Sequence, residues 1–358
     1  MDDFARRAEA DRLAFINEAA LRRDVTPVII EKDFWVCWTL KRLTETPALS
    51  GQLTLKGGTS LSKAYDIIER FSEDVDLTIS RTAPLISEVA SPMETRISRK
   101  ERERRGRALK QAAQNYVATT ALPHIEQAVQ AALGTHDGWL VLLDPDDGDM
   151  QTILFRYPAV ISYGRSEDGY VRPRIKLEFG ARGETEPSEA RIITPYIADT
   201  FPAEIPNAAC TVPTLSVTRT FWEKVTILHA LHHGSKLREG MSRHYYDCYM
   251  LAERSIAKTA LLTPALLEQV VRNKSVMFAD SKASYDTAKL GALRLTPDDE
   301  LRAKLKRDYA AMSEMFMAAP PSFDRLMAGI AALESCSTAA YRRTAIENFQ
   351  TPQAIRRS

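Results

Sequence analysis

Two aspartates separated by one residue, Asp74 and Asp76, lie in the alternating segment DVDLTI. Alternate residues of a β-strand share one face, so both carboxylates point the same way and repel each other unless a cation lies nearby. Proteins bind Mg²⁺ through carboxylate oxygens, water and substrate phosphates. The pair therefore predicts a site for a divalent cation, Mg²⁺ or Mn²⁺. The alternative is a carboxylate pair on the surface without a ligand.

A glycine-rich turn precedes the aspartates and reads Gly57, Gly58, Thr59, Ser60. Glycine lets a backbone approach a ligand closely, and Thr59 or Ser60 can cap the helix that we expect over residues 60–70. The N-terminus of such a helix presents free N–H groups to an anion. A phosphate cradle beside a carboxylate pair indicates two-metal phosphoryl or nucleotidyl transfer.

A third carboxylate, Glu178, stands in the otherwise apolar strand pattern RIKLEFG, two residues after Lys176. If this strand lies beside the strand of Asp74 and Asp76, Glu178 joins them and helps to activate an attacking hydroxyl as a general base. Lys176 would then meet a phosphate. The alternative is a salt bridge between the two side chains on an edge strand.

The elements that must position these residues follow from periodicity. Residues 1–45 are predicted to be helical, strands are predicted near 51–56, 74–79 and 172–180, and a hairpin near 138–163. Residues 94–133 are predicted to form one or two helices, and the chain is helical from about residue 214. We therefore expect an α+β chain with a sheet-bearing domain over 1–200, which contains a helical and hairpin insert at about 90–165. A helical domain over 201–358 would complete the active site.

Composition narrows the class of protein. The chain has 358 residues with 48 Lys+Arg against 47 Asp+Glu, a formal net charge of +1, which excludes a uniformly basic nucleic-acid coat protein. It has no run of about 18 apolar residues, so no membrane span is expected. Its four cysteines are scattered without a CxxC pair, which favours the cytoplasm over an oxidising compartment.

The segments LKGGTSLSKAY and RFSEDVDLTI resemble the AbiEii/AbiGii family of nucleotidyltransferase toxins, within the DNA polymerase beta superfamily. The resemblance extends over most of the chain and includes IEKDFWVCWTLKRL, RTFWEKVTILHAL and RHYYDCYML. It implies a polymerase-beta-like domain with a small mixed sheet, followed by a C-terminal helical bundle. It also implies NTP as substrate, a toxin that transfers NMP to RNA such as the tRNA 3′ end and so blocks translation, and a cognate antitoxin.

The resemblance also implies roles for individual residues. Nucleotide and metal binding fall on the Gly-Gly turn and on the aspartate pair, with Gly58, Ser60, Asp74 and Asp76 at the matching positions. The third strand carries Glu178 where such strands often carry Asp. Some relatives are controlled by phosphorylation near this motif, which makes Ser72 a regulatory candidate; the alternative is a turn serine.

Two later motifs add further candidates by the same resemblance. Lys224 of FWEKV would be the cation that contacts the triphosphate, and Asp247 of RHYYD a required acid. Arg243 would be the partner of Asp247 or a phosphate contact, since residues four apart share a helix face. Ordinary ion pairs on a helix surface are the alternative for these residues.

Two other patterns predict little chemistry. His229 and His233 are spaced i, i+4 but lack the Glu of HExxH, so zinc does not fit. The acidic loop DPDDGDM lacks the spacing of a calcium loop.

Positive charge is concentrated in Arg96–Lys110, with eight cations and two acids. This segment is either a solvated helix face or a contact surface for nucleic-acid phosphates. Further cations that could serve RNA are Lys274, Lys282, Lys289 and Arg294. Two alternatives to an RNA acceptor remain open: transfer to a protein or small molecule, and a catalytically inactive binding partner.

Overall fold

A computed structural model describes residues 1–72, 74–134, 138–163 and 172–350, with side chains as far as Tyr341. The chain divides into two compact units, Met1–Ser216 and Val217–Ser358. The predicted boundary near residue 200 lies before the strand Cys210–Leu215. This strand pairs within the sheet of the first unit, so the first unit extends to Ser216.

The first unit contains a mixed seven-stranded sheet. Its strands are β1 (Leu53–Lys56), β2 (Asp74–Ile79), β3 (Leu140–Leu143), β4 (Thr152–Arg156), β5 (Arg174–Gly180), β6 (Ser188–Ile193) and β7 (Cys210–Leu215). Their order is β3-β4-β5-β2-β1-β7-β6. The pairs β2–β5 and β1–β7 are parallel, and the other pairs are antiparallel. The strands predicted from alternation and the β3–β4 hairpin are confirmed.

The core of the first unit lies between the sheet and the long helix after Thr26. The helices are α1 (Asp2–Ala5), α2 (Glu9–Arg23), α3 (Pro27–Glu45), α4 (Gly57–Thr59), α5 (Arg99–Tyr116), α6 (Leu122–Leu133) and α7 (Tyr196–Thr200). α3 begins with Pro27 at its first position, as expected for a residue that lacks an N–H. Its Trp35 and Trp38 pack against Phe155 of β4 with ring centroids 5.8 and 5.6 Å apart.

The helix predicted over residues 60–70 is wrong in its extent. α4 continues only into a π-helical turn, Ser60–Ala64. Asp66 then takes a left-handed conformation with φ of +51°, a backbone state in which helices commonly end and which Asp tolerates better than most residues. The following chain turns back and reaches β2 at Asp74.

The second unit is helical in the residues described. It comprises α8 (Val217–His232), α9 (Ser242–Glu253), α10 (Ile256–Leu261), α11 (Pro264–Met277), α12 (Asp299–Ala311) and α13 (Phe323–Gln350). The prediction that the chain is helical from about residue 214 is confirmed, with the first helix beginning at Val217 after β7 ends at Leu215. None of the helices described in either unit combines the length and the apolar character needed to cross a bilayer.

Candidate active site

β2 and β5 bring the predicted acids together at the centre of the sheet. The two strands are parallel neighbours, and their register places Asp76 opposite Glu178 and Asp74 opposite Lys176. In β5 the buried residues Ile175, Leu177 and Phe179 alternate with Lys176 and Glu178, so the charged residues share the other face. The prediction that the RIKLEFG strand lies beside the DVDLTI strand is confirmed.

The charges on this face partly compensate one another. Lys176 Nζ lies 2.8 Å from Glu178 Oε1 on the same strand, and both side chains are about one-third exposed. Burial lowers the pKa of Lys176, but its hydrogen bond and attraction to Glu178, together with the charge of Asp74, raise it overall. Lys176 therefore stays protonated and can meet an anion.

Sequence reasoning did not identify Lys56 of β1. It lies next to Asp76 on the side of β2 opposite to Glu178. The register of β1 and β2 places Lys56 opposite Asp76. Its ammonium group reaches the region of Thr78 and Gly183, since both Lys56 Nζ and Thr78 Oγ1 would touch a Cβ atom added to Gly183. The alternation of Thr54 and Lys56 along β1 was the available signal for its placement on this face.

The Gly-Gly turn lies directly against the face of the sheet that carries Asp76. Gly57 has φ of +73°, and a Cβ atom there would lie 1.9 Å from Asp76 Oδ2. A Cβ atom on Gly58 would lie 2.5 Å from Ser72 Oγ and 2.8 Å from Arg70 Nη2. Side chains would collide at both positions, so the turn is glycine-rich because its backbone contacts the catalytic candidates.

Thr59 and Ser60 are fully buried and hold the turn in place. Thr59 Oγ1 donates to the carbonyl of Asp74, and Ser60 Oγ donates to the carbonyl of Gly57 at 2.8 Å. Neither side chain caps α4, so the expected N-cap is wrong. Both hydroxyls therefore face main-chain oxygens.

Arg70 is a second residue that sequence reasoning missed. It is only 2% exposed, its guanidinium borders Gly58, and it donates to the carbonyl of Phe71 at 3.3 Å. Ser72 borders the same glycine. A buried cation and a hydroxyl thus lie beside the turn at Gly58.

Lys63 connects the π-helical turn after the Gly-Gly turn to other elements of the first unit. Its ammonium lies 2.7 Å from Asp33 Oδ1 and 3.5 Å from the ring centroid of Tyr196, and the Lys63 and Asp33 side chains are buried. Asp33 Oδ2 also accepts from the backbone N–H of Tyr196 at 2.6 Å. Burial by itself lowers the pKa of Lys63, but Asp33 and the neighbouring groups raise it overall. The ion pair therefore joins the π-helical turn to α3 and α7.

The oxygen ligands on this face fit a divalent cation. Asp74 and Asp76 offer carboxylates from one side of β2, and both are partly exposed; such hard ligands suit Mg²⁺ or Mn²⁺, with water and phosphate oxygens completing the coordination. Among the residues described, no three acidic, histidine or cysteine side chains are grouped closely enough to hold an ion. The acid nearest the pair across the sheet, Glu178, faces Lys176 instead.

In the second unit, Lys224 and Asp247 form a buried ion pair. Lys224 Nζ of α8 lies 2.7 Å from Asp247 Oδ2 of α9, and their side chains are 6% and 0% exposed. Arg243 lies one turn before Asp247 on α9 and is half-buried. Asp247 thus pairs with a residue of another helix, a partner that the i, i+4 spacing did not reveal.

His229 and Asp147, which belong to the histidine pair and the acidic loop, form hydrogen bonds within the chain. His229 Nδ1 accepts from the backbone N–H of Arg294, and its Nε2 contacts the carbonyl of Ser284 at 3.1 Å, so both ring nitrogens are engaged. In the acidic loop, the Asp147 carboxylate accepts from Gln151 N, Thr152 Oγ1 and Asp149 N. These contacts give His229 and Asp147 hydrogen-bonding partners within the chain.

The chain has relatives among known proteins. The sequence profile of the family described as "Nucleotidyl transferase AbiEii toxin, Type IV TA system" matches residues 38–329. A solved structure, MenT4, a nucleotidyltransferase toxin from Mycobacterium tuberculosis H37Rv, is similar at 15% identity and a TM-score of 0.41, over 92% of this chain and 97% of that chain. No curated protein matches. The profile match includes Gly57, Asp76, Glu178 and Lys224.

Proposed function

Since the chain belongs to the AbiEii family of nucleotidyltransferase toxins of type IV toxin–antitoxin systems, we propose that it transfers a nucleoside monophosphate from an NTP to RNA. We propose the acceptor end of tRNA as the site of transfer. The observation that carries this proposal is the alignment of Asp76 with Glu178 on adjacent strands, with the backbone of Gly57 against the Asp76 carboxylate.

The reaction needs an acceptor hydroxyl to attack the α-phosphorus of the NTP. A new oxygen–phosphorus bond forms, the bond to the bridging oxygen breaks, and pyrophosphate leaves with the electron pair. We assign Glu178 to take the proton of the attacking hydroxyl. This assignment is supported by its partly exposed carboxylate, which lies opposite Asp76, because a carboxylate near the reacting groups can act as a general base. Lys176, held protonated by Glu178 and Asp74, would neutralise phosphate charge.

The backbone of the Gly-Gly turn would hold the triphosphate. Gly57 and Gly58 lack side chains that could keep a phosphate away, and Thr59 and Ser60 fix the turn through the carbonyls of Asp74 and Gly57. Asp74 and Asp76 would bind Mg²⁺ or Mn²⁺. When bound, such an ion stabilises the charge that develops on the attacking and leaving oxygens.

We further propose that Lys224 of the second unit contacts a phosphate of the nucleotide. Its 2.7 Å pair with Asp247 holds the ammonium in one orientation, which favours binding because little side-chain freedom is then lost. Arg243, one helical turn before Asp247, is a second phosphate contact in this proposal.

A tRNA with a modified acceptor end cannot be aminoacylated, so the proposed reaction would stop translation. The family implies a cognate antitoxin that prevents this. We propose the cytoplasm as the compartment, since tRNA is there and the four cysteines are free thiols.

The test is incubation of the full chain with total tRNA and each of the four α-labelled NTPs, in the presence of Mg²⁺ or Mn²⁺. We expect label in RNA with at least one nucleotide and none with Asp76→Asn. Ile192→Ala provides a control, because Ile192 is exposed on the edge strand β6. Label in a protein band or in a small molecule, without label in RNA, would overturn the RNA acceptor and favour the corresponding alternative.

A further inference from the structure

α5 carries the densest positive charge of the chain. The segment Arg96–Lys110, which begins three residues before α5, holds eight cations and two acids, a net charge of +6 (8 − 2). Apolar residues in this segment are few, and Leu109 is buried. Six of these eight cations fall into two groups with different surroundings, while Arg96 is exposed and Arg99 pairs with Glu103 on the helix surface.

One group is used to fasten α5 to the first unit. Arg102 donates to the carbonyls of Pro92 and Glu94, and Arg105 pairs with Glu94 and Glu101. Lys110 Nζ lies 2.5 Å from Asp149 Oδ1. These cations already have carboxylate or carbonyl partners and hold neighbouring segments in place.

The other group, Lys100, Arg104 and Arg107, lies on the solvent side of the helix, and all three residues are exposed. At 3.6 residues per turn they fall within an arc of about 60° and span about 10 Å along the axis. Arg104 also contacts Glu101 through two hydrogen bonds, but that carboxylate is shared with Arg105, so the stripe keeps an excess of positive charge. We call these three residues the α5 crest.

The crest is connected to the candidate active site through hydrogen bonds within the first unit. The carbonyl of Lys110 accepts from Gln151 Nε2 at 3.4 Å, and the carbonyl of Gln151 accepts from the backbone N–H of Phe179 at 2.9 Å. Phe179 follows Glu178 directly. Hydrogen bonds therefore link α5, the helix that would hold the nucleic acid, to the strand that carries Glu178, the proposed general base.

We propose that the α5 crest is the surface that docks the phosphate backbone of the acceptor RNA. This inference rests on the proposed function. Three cations over about 10 Å match the spacing of about three successive phosphates in a nucleic-acid strand. The occupant is argued from charge: three exposed cations within one arc of the helix complement the negative backbone of RNA.

The test is the salt dependence of RNA binding. The full chain carrying Asp76→Asn, which prevents turnover, is titrated into fluorescently labelled total tRNA at 50 to 300 mM KCl. The triple variant Lys100→Ala/Arg104→Ala/Arg107→Ala is compared on the same background. We expect its slope of log K against log[salt] to be less negative by about two to three, with affinity about tenfold to a hundredfold lower at low salt.

A matched control removes the same charge elsewhere, by Arg22→Ala/Lys258→Ala/Lys304→Ala, which are exposed side chains of α2, α10 and α12. The slope of log K against log[salt] for this control variant should differ from that of the parent by no more than about one. Melting curves verify that both triple variants are folded. Equal slopes for the crest variant and the parent, or no salt-dependent binding by the parent, would overturn the inference. RNA binding through the crest without label incorporation would support it and refute the proposed function instead.

Discussion

The α-carbon of Gly57 faces the carboxylate of Asp76 so closely that a Cβ atom there would stand 1.9 Å from Oδ2. Real Cβ contacts are never that short, so the Asp76 carboxylate occupies the space that a side chain at position 57 would need. The sequence separation of nineteen residues is bridged by the antiparallel pairing of β1 with β2, which places Lys56 opposite Asp76. An alanine at position 57 would therefore have to displace the Asp76 side chain and adopt a positive φ.

Gly57→Ala should reduce nucleotidyl transfer about a hundredfold, because displacing a reacting group by about 1 Å has effects of this size. Gly51→Ala is the matched control. Gly51 has φ of +71° but no atom within 4 Å of its Cβ position, so alanine there carries only the backbone strain of about 1 kcal/mol. Initial rates of label incorporation distinguish the two, and wild-type rates for Gly57→Ala would contradict the predicted collision.

Glu178→Gln should lower the rate of the chemical step about a hundredfold or more, as expected for loss of a general base, while leaving NTP affinity within a few-fold. The control is Glu189→Gln, since Glu189 and Arg191 form a similar pair two residues apart on β6. If Glu178 served only as the partner of Lys176, both variants would show the small effect of an exposed ion pair, about 1 kcal/mol or less. Single-turnover incorporation at saturating NTP is the measurement.

Local patterns predicted much of this site, whereas contacts distant in sequence were not accessible. Alternation along DVDLTI and RIKLEFG identified Asp76 and Glu178, because the period of a strand depends on neighbouring residues alone. Their adjacency could only be stated conditionally, since about a hundred residues separate the two strands. Lys63 and Asp33 escaped notice because charges in apolar segments do not reveal their partners, thirty residues apart.

Ser72→Glu should weaken NTP binding about tenfold or more, whereas Ser72→Ala should change it less than about threefold. Ser72 Oγ borders Gly58 in the turn that would hold the triphosphate, and a negative charge there repels phosphates at short range. Equilibrium binding of a fluorescent NTP is the measurement. Equal affinities for Ser72→Glu and Ser72→Ala would rule out phosphorylation at this position as a means of control.

The second unit should lose stability when the pH falls below about 6.5. Burial lowers the pKa of His229, and its Nδ1 must be unprotonated to accept from Arg294 N. The unfolded chain then binds a proton that the folded chain does not, so stability rises with pH through this window. In His229→Gln, the melting temperature should change less between pH 7.5 and 5.5 than it does in the parent. The control Leu262→Gln, an exposed position of the second unit at which no titratable group changes, should retain the slope of the parent.

Replacing Lys224 of the Lys224–Asp247 pair should destabilise the protein more than replacing a lysine of an ordinary ion pair on a helix surface. Lys224→Met removes the ammonium that lies 2.7 Å from the buried Asp247 carboxylate. Breaking a buried ion pair from one side costs about 3–5 kcal/mol, so this variant should unfold at lower urea. The double variant Lys224→Met/Asp247→Asn should recover most of this loss, because the buried carboxylate is then replaced by a neutral amide. Lys304→Met, in an exposed pair with Glu300, should cost about 1 kcal/mol or less.

Activity separates a catalytic role of this pair from a purely structural one. If Lys224 contacts the triphosphate, the double variant regains stability but transfers no nucleotide, since methionine cannot neutralise a phosphate. If the pair only supports the packing of α8 against α9, activity returns together with stability. Urea unfolding and label incorporation, measured on the same preparations, therefore decide between the two roles, and a double variant that is both stable and active would refute the assignment of Lys224 to the nucleotide.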